Sequence, residues 1–535
     1  MKKYSWQTAP DEISEKDICR EYNADIVVIG AGSAGTSVAR SAAENGAYVI
    51  VLKKRKKNGF SATGRDFGHI NSNFLKEHGV PEVDPIEFFN DWQLKSGNRS
   101  NPKFVMQYAK TSGSCFDWFI EPLSAEQRAS IQVKYWPARK PNSIEIAGQK
   151  FWYGTASFPN TFRYDEAVRI NHSYMETLDI VFFFEYTAIQ LRKRVNTVDA
   201  VYAKDKVGNV FRFSANKGVV LAAGDFSAND EMMTDLCDEI QSLLFEGRKV
   251  RSMSINDGSG IKLGIWAGGI MAPGPIATMG GTYFYPQGPI ADALTLPTLW
   301  LDRNGKRYCN EAFGDMVFSG VESIRQPAGA LTVIFDSAIF DNMKFFPPYH
   351  TAPWKENKTE MRELRKVMDA AVQNGKGGAE IPRTKYKLYA ADTYRELAEM
   401  LSDSIKFRNN FCNSVNRYNN ICRNQRDEDF GKNASLLFEL RCPPYFAFQG
   451  NPDGDIYVMA TVDGLWTDDF QNVIDIKRNP IPGLYACGNC CGRRWGVQYH
   501  TPVSGANIGM AWTLGRILGT HLAKSPTINQ NKGRY

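Results

Sequence analysis

Residues 24–52, ADIVVIGAGSAGTSVARSAAENGAYVIVL, constrain the fold more than any other stretch. A β-branched run from Ile26 to Ile29 meets glycines spaced G-x-G-x-x-G, an alanine-rich segment follows, and a second apolar run covers Tyr48 to Leu52. That order predicts strand, tight turn, helix and strand, a βαβ unit. Gly30 permits the turn, Gly32 lets the backbone approach a pyrophosphate, and Gly35 lets the helix pack on the strand. The helix that starts beyond Ser33 and Ala34 supplies amide donors and a partial positive charge. The expected ligand is therefore a dinucleotide. One position breaks the pattern. The second strand should end on an acid that accepts from the adenosine ribose, and Lys53 and Lys54 stand there instead. Lysine donates but cannot accept, so Lys53 or its backbone is expected to flank the adenosine while backbone amides hold most of the ligand.

The remaining chain reads as a large globular protein of two or three structural units, since 535 residues exceed one typical domain. Hydrophobic residues make up 43% and no run of about 18 apolar residues occurs, which argues against a transmembrane helix. The start, MKKYSWQTAPDEISEKD, has no apolar run after its lysines, so a cytoplasmic location is expected. A net charge of +6 with scattered basic residues argues against nucleic-acid binding. Ten cysteines include Cys487, Cys490 and Cys491, but no second pair or nearby histidine completes a metal site, so none is expected.

Segment 181–221 reads as strand, β-meander and a core strand that stops on the small residues of AAGDF, with Ala223 and Gly224 leaving room for a ligand. NDGSGIKLGIWAGG, 256–269, reads as a glycine-opened helix near the same ligand, with Asp257 at its start. Between about 290 and 455 the texture turns aromatic, charged and proline-rich, with helix-like TYRELAEMLSD and FCNSVNRYNNICRNQ, as in an inserted domain. The expected division is 1–290, 291–457 and 458–535. GLYACGN and a helix from about Gly505 to Leu522 return to the first domain.

GAGSAG, GVVLAAGDF, and PGLYACGN followed by SGANIGMAWTLGR together resemble, in order and over nearly the whole chain, the FAD-dependent flavoproteins of the fumarate reductase and 3-ketosteroid dehydrogenase superfamily. The resemblance implies an α/β fold, a Rossmann-like FAD-binding domain (parallel sheet with β-meander) interrupted by an α+β capping domain, with substrate between cap and flavin. It places Gly30, Gly32, Ser33, Ala34 and Gly35 at the FAD pyrophosphate. Ser61, Thr63, Gly64, Gly68 and His69 then fall along the ribityl chain and flavin, and Ala188 near the adenine, with Lys53, Lys54, Ala223, Gly224 and Asp257 around the adenosine and pyrophosphate. Gly488, Asn489, Ser504, Gly505, Asn507 and Ile508 fall near the pyrimidine end. With a single glycine fingerprint, electrons are expected to come from an external donor or go to an external acceptor.

Departures from the family pattern bear on the substrate. The histidines and arginines that hold dicarboxylates in fumarate reductases are replaced near Tyr285, Met459, Ala460, Pro502 and the segment FDSAIFDN. Two buried carboxylates without cationic partners would be severely destabilised. Tyr283, Phe284, Tyr285, Trp495 and Tyr499 suit a large apolar molecule with one carbonyl instead. The expected activity is reduction or formation of a C=C bond conjugated to a ketone, in a 3-oxo-steroid or bile-acid-like substrate. Tyr285, Tyr499 and His500 are the candidate catalytic residues, and Tyr283, Arg494, Trp495 and Gly505 the candidate substrate contacts. Alternatives are an α,β-unsaturated carboxylate reductase, with Arg493 or Arg494 on one carboxylate, and a non-catalytic electron-carrying flavoprotein. Glu311, in GKRYCNEAF, resembles a family segment on the cap's proton path.

Overall fold

The computed structural model describes residues 4–59, 64–134, 143–146, 149–237, 250–279, 298–311, 332–343, 358–382, 386–450, 456–500 and 502–528. Its main sheet has strand order Asn472–Ile474, Pro480–Ala486, Val210–Leu221, β1 (Ile18–Ile29), β2 (Val49–Lys53) and Ile180–Phe184. β1 runs parallel to β2 and to Val210–Leu221, with Ile26 opposite Val49 on one side and Gly218 on the other. The unbroken apolar run at the end of β1 has a plain cause: Ile26, Val27 and Val28 are fully buried because both faces of the strand are covered. Thr187–Arg194 and Thr197–Lys204 form the expected antiparallel meander leading into Val210–Leu221.

One face is covered by α1 (Ser33–Glu44) and, beyond it, the C-terminal helix Ala506–Lys524. Small residues let these two helices touch. Ser37 and Ser41 donate to the carbonyls of Trp512 and Arg516 at 2.6 and 2.7 Å. A Cβ at Gly519 would come within 2.3 Å of the Val38 carbonyl oxygen, so only glycine fits there. A short antiparallel sheet of Asp66–Gly68, Thr155–Ser157 and Gln132–Lys134 lies against the start of the C-terminal helix.

A separate antiparallel sheet takes the order Leu299–Leu301, Thr332–Asp336, Tyr445–Gln449, Lys387–Ala391 and Ala379–Glu380. Helices Tyr394–Leu401 and Ile405–Asn424 cover it, and Phe407, Phe411, Val415 and Tyr418 pack with Leu299, Leu301 and Ile334. The two helix-like stretches of the sequence fall on these helices. Among the described residues no helix is long and apolar enough to cross a membrane.

Candidate functional site

The carboxyl ends of four parallel strands meet at one edge of the main sheet. Gly30 donates to the Leu52 carbonyl, Ala222 to that of Ile29, and Cys487 to that of Leu221. Gly30 takes φ +108°, and a Cβ there would lie 2.3 Å from the Ala222 oxygen. Gly35 is equally forced: its Cβ would lie 1.9 Å from the Gly30 oxygen, so α1 can descend onto the strand only without one. Gly30, Gly32, Ser33, Ala223, Gly224 and Asn489 stay half-exposed along this edge.

Two helices begin there with free amides. α1 starts after Gly32 and Ala506–Lys524 after Gly505, and neither has a side-chain cap or an acid in its first turn. Elsewhere Ser72, Asp84, Asn101, Ser124, Thr393 and Ser404 cap their own helices. Uncapped N–H groups with a positive dipole end need acceptors. A pyrophosphate at α1 and an electron-rich ring edge at Ala506 meet that need, so the residues present fit FAD.

The second uncapped end is built by close crossing. Gly505 has φ +78° and accepts from the Gly68 N–H at 2.9 Å, while a Cβ on Gly509 would fall 1.8 Å from the Gly68 oxygen. Tyr108 donates to that same oxygen at 2.6 Å, and the Ser504 hydroxyl donates to Asp66 at 3.0 Å. Gly64 faces Ile508, whose Cδ1 would meet a Cβ at 3.2 Å. The Ser33 and Tyr164 hydroxyls lie 2.6 Å apart, and Trp512 donates to Tyr164 at 2.7 Å, tying both helix starts together. Tyr164, Tyr108 and Asp66 gave no sequence signal, because their partners lie far away in the chain.

Several expected contacts take a different form. The His69 side chain does not reach the groove: Nδ1 pairs with the Phe67 carbonyl, Nε2 with Ser72 Oγ, and the ring stacks on Phe116 at 4.0 Å. Burial holds its pKa down to about 3. The Lys53 side chain is likewise turned inward, 5% exposed, donating to the Lys57 carbonyl at 2.8 Å, and burial lowers its pKa to about 8. Of the two forms expected for the contact with the adenosine, side chain or backbone, the side chain is thus turned away. Lys54 stays outside and pairs with Asp257 at 3.2 Å. Asp257 also accepts from Ser259 N–H, at the start of the glycine-opened helix Ser259–Trp266. Ala188 lies half-buried in the meander opposite Ala203. Gly224 has φ +89°, with the Asn256 side chain filling its Cβ position. Gly488, φ +63°, packs on Ala34. The adjacent thiols are closed off: burial pushes Cys490 up to about 12 and Cys491 up to about 11.

Arg494 is fully buried and donates to the carbonyls of Cys491 and Val462, to Asn507 Oδ1 at 2.8 Å and to Asn489 Oδ1 at 2.5 Å. These bonds replace the substrate contact expected of it. Trp495 stacks on Trp92 at 4.6 Å, Tyr499 meets Trp495 edge-on at 4.5 Å, and His500 meets Trp92 edge-on at 5.1 Å. Neither nitrogen of His500 has a partner among the described residues, and burial keeps its pKa well below the ordinary value, so the ring is neutral. Tyr283, Tyr285, Ser61 and Thr63 lie outside the described residues.

The FAD binding domain family matches residues 25–508, nearly the whole chain. The chain belongs to this family. Its cofactor is FAD. Vinyl phenol reductase of Lactiplantibacillus plantarum is 24% identical over 94% of this chain and 96% of its own. Digoxin reductase of Eggerthella lenta is 23% identical over 95% and 88%, and a cytochrome fumarate reductase of Shewanella frigidimarina 22% over 94% and 77%. In fold, the FAD-binding chain is similar to the 3-ketosteroid-Δ4-(5α)-dehydrogenase of Rhodococcus jostii RHA1 (TM-score 0.66, 18% identity, 94% of this chain and 97% of the other). It is also similar to the open form of a flavocytochrome c3 fumarate reductase (TM-score 0.62, 18% identity, 98% and 82%).

Proposed function

We propose that this FAD-dependent oxidoreductase of CH–CH bonds reduces a C=C bond conjugated to a ketone or comparable oxygen group in a neutral, largely apolar substrate. 3-Oxo-steroids belong to that class, and a bile-acid-like ketone shares their ring system but adds one carboxylate tail. The observation that carries this reading is the wall that Trp92, on helix Pro85–Lys95, forms with Trp495, Tyr499 and neutral His500 of the segment entering the C-terminal helix. Such a wall offers π faces and hydroxyl or imidazole donors, and no counter-charge for a dicarboxylate. Relatives named for vinyl phenol and digoxin support a neutral substrate.

When bound, FAD supplies the two-electron hydride chemistry. The chain's residues supply the rest. Tyr499 is assigned one of two polar roles, protonation of the α-carbon or a hydrogen bond to the substrate oxygen, and Tyr285 the other. His500, as a neutral ring, can add a donor without adding charge. Trp92 and Trp495 exclude water, which strengthens each polar contact.

A second reading is favoured by Arg493, half-buried at φ +58° with no side-chain partner among the described residues. It could hold one carboxylate of an unsaturated acid, in line with the fumarate reductase relatives.

The test is anaerobic. Photoreduced protein is mixed with a 3-oxo-Δ4-steroid, 4-vinylphenol, cinnamate or fumarate, and return of flavin absorbance is followed. Rapid return with the neutral compounds alone is expected. Return with the acids alone rejects the first reading for the second, and no return with any compound points to an electron carrier.

A further inference from the structure

Arg494 does something that neither the family nor the substrate readings assign to it. Its guanidinium carries only N–H donors, so any side-chain amide that faces it must do so through oxygen. Both Asn489 and Asn507 do: Oδ1 of each accepts from Arg494, at 2.5 and 2.8 Å. Their Nδ2 groups therefore point away from the arginine, and neither has a partner among the described residues. Both residues are half-exposed, while Arg494 behind them is fully buried. Asn489 sits in the turn Gly488–Cys490 after a parallel strand, and Asn507 in the uncapped first turn of the C-terminal helix. Two separate elements, one on either side of Arg494 in the chain, thus present four amide hydrogens beside a free helix N-terminus, with a buried cation behind them.

We propose that Arg494 is a positioning residue: it locks Asn489 and Asn507 with their amide NH2 groups turned toward the pyrimidine edge of FAD. That edge carries acceptors and gathers negative charge on reduction, which is the chemistry that outward donors and a positive helix end recognise. The arrangement favours the reduced cofactor over the oxidised one. The inference rests on the placement of FAD along this strand edge and does not depend on which substrate is reduced.

Asn507→Asp tests it directly, since aspartate still accepts from Arg494 but offers no outward donor. The expected result is a folded protein of near-parental Tm. Reduced FAD should be held about tenfold more weakly relative to oxidised FAD, the scale of one hydrogen bond to a charged group, read as a lowered midpoint potential without substrate. Asn489→Asp should act in the same direction and serves if the first variant does not fold. Arg494→Lys keeps the charge but cannot fork to both amides, and should lower the potential as well. A folded Asn507→Asp or Asn489→Asp protein with unchanged potential overturns the proposal. So does a loss of affinity equal for both redox states, which is what a merely structural role would give. Because no alkene is present, failure of the substrate reading leaves this measurement untouched.

Discussion

Lys54 Nζ lies 3.2 Å from Asp257 Oδ2, so an acid is present at the end of the second strand after all, delivered by a different segment. Asp257 stands one residue before Gly258, which takes φ +74° to open the helix Ser259–Trp266. Burial works against its carboxylate, yet Lys54 and Ser259 keep its pKa below the ordinary value.

The first prediction follows from which partner holds the acceptor. Side-chain exposures of 62% and 40% make the ion pair itself worth little, as for other surface pairs. Lys54→Met is therefore expected to change FAD affinity of the apoprotein less than threefold, roughly the effect of about 0.5 kcal/mol. Asp257→Asn, which removes the carboxylate, should weaken it by about tenfold. Titration of apoprotein with FAD, followed by fluorescence quenching, checks both; equal effects would mean that the pair acts as a unit.

The contrast between the first βαβ unit and the aromatic wall shows what a sequence makes legible. Gly30, Gly32 and Gly35 could be read because their spacing encodes local geometry within one turn and one helix. Helices Tyr394–Leu401 and Ile405–Asn424 were legible for the same reason. The inward turn of the His69 and Lys53 side chains was not legible, because a side chain's direction depends on which partners the fold brings to it: Phe116 stacks on one and the Lys57 carbonyl takes the other. Arg494 was visible as a charge, but its partners Val462, Asn489 and Asn507 meet only when three separate segments converge. Trp92, at the far end of the chain from Trp495, had no local signature at all.

A second prediction concerns the helix crossing. A Cβ on Gly509 would lie 1.8 Å from the Gly68 oxygen, which is backbone and already accepts from Tyr108. Gly509→Ala should push the strand Asp66–Gly68 off the helix start, costing about 3 kcal/mol or more, the upper range of core overpacking. Gly208, at φ +98° with open space around its Cβ position, is the control. Gly208→Ala carries only local strain of about 1 kcal/mol. Thermal unfolding with and without added FAD separates the two, and only Gly509→Ala should also lose flavin.

The third prediction is a pH dependence. Burial lowers both His69 and His172 to about 3 from an ordinary 6.5. Each stays neutral in the folded chain and takes up a proton on unfolding, so its contribution is complete above pH 6.5 and fades as pH falls toward 3. Asp463 opposes this, since burial raises it to about 6 and the folded state then binds the extra proton between roughly pH 6 and 4. His500, which burial also holds well below its ordinary value, acts with the two histidines, and Asp225 and Asp336, raised by burial, act with Asp463, so a variant is needed to isolate one histidine's share of the slope between roughly pH 6.5 and 4.5. His172→Gln, which can still pair with Thr36, should flatten that slope by about 1.4 kcal/mol per pH unit. An unaltered slope would remove His172 from the account.

The last prediction tests Glu311. Arg307 grips it through two bonds of 2.8 and 2.9 Å, and grips Asp427 through two more of 3.0 and 2.7 Å. Lys432, fully buried, lies 3.4 Å from Glu311 and donates to the Thr298 carbonyl and the Tyr418 hydroxyl. Two cations thus balance two carboxylates beside the antiparallel sheet, whose Trp300 N–H also donates to Glu311. Arg307→Met would leave two carboxylates facing one lysine in a dry site, and breaking a buried pair of this kind typically costs about 3–5 kcal/mol. Glu311→Gln removes one charge and leaves an acceptor, so it should be milder in stability. If Glu311 only anchors the cap, Glu311→Gln leaves the rate of alkene reduction per folded, flavin-loaded molecule unchanged. If it moves protons, that rate falls steeply while Tm stays near the parent's.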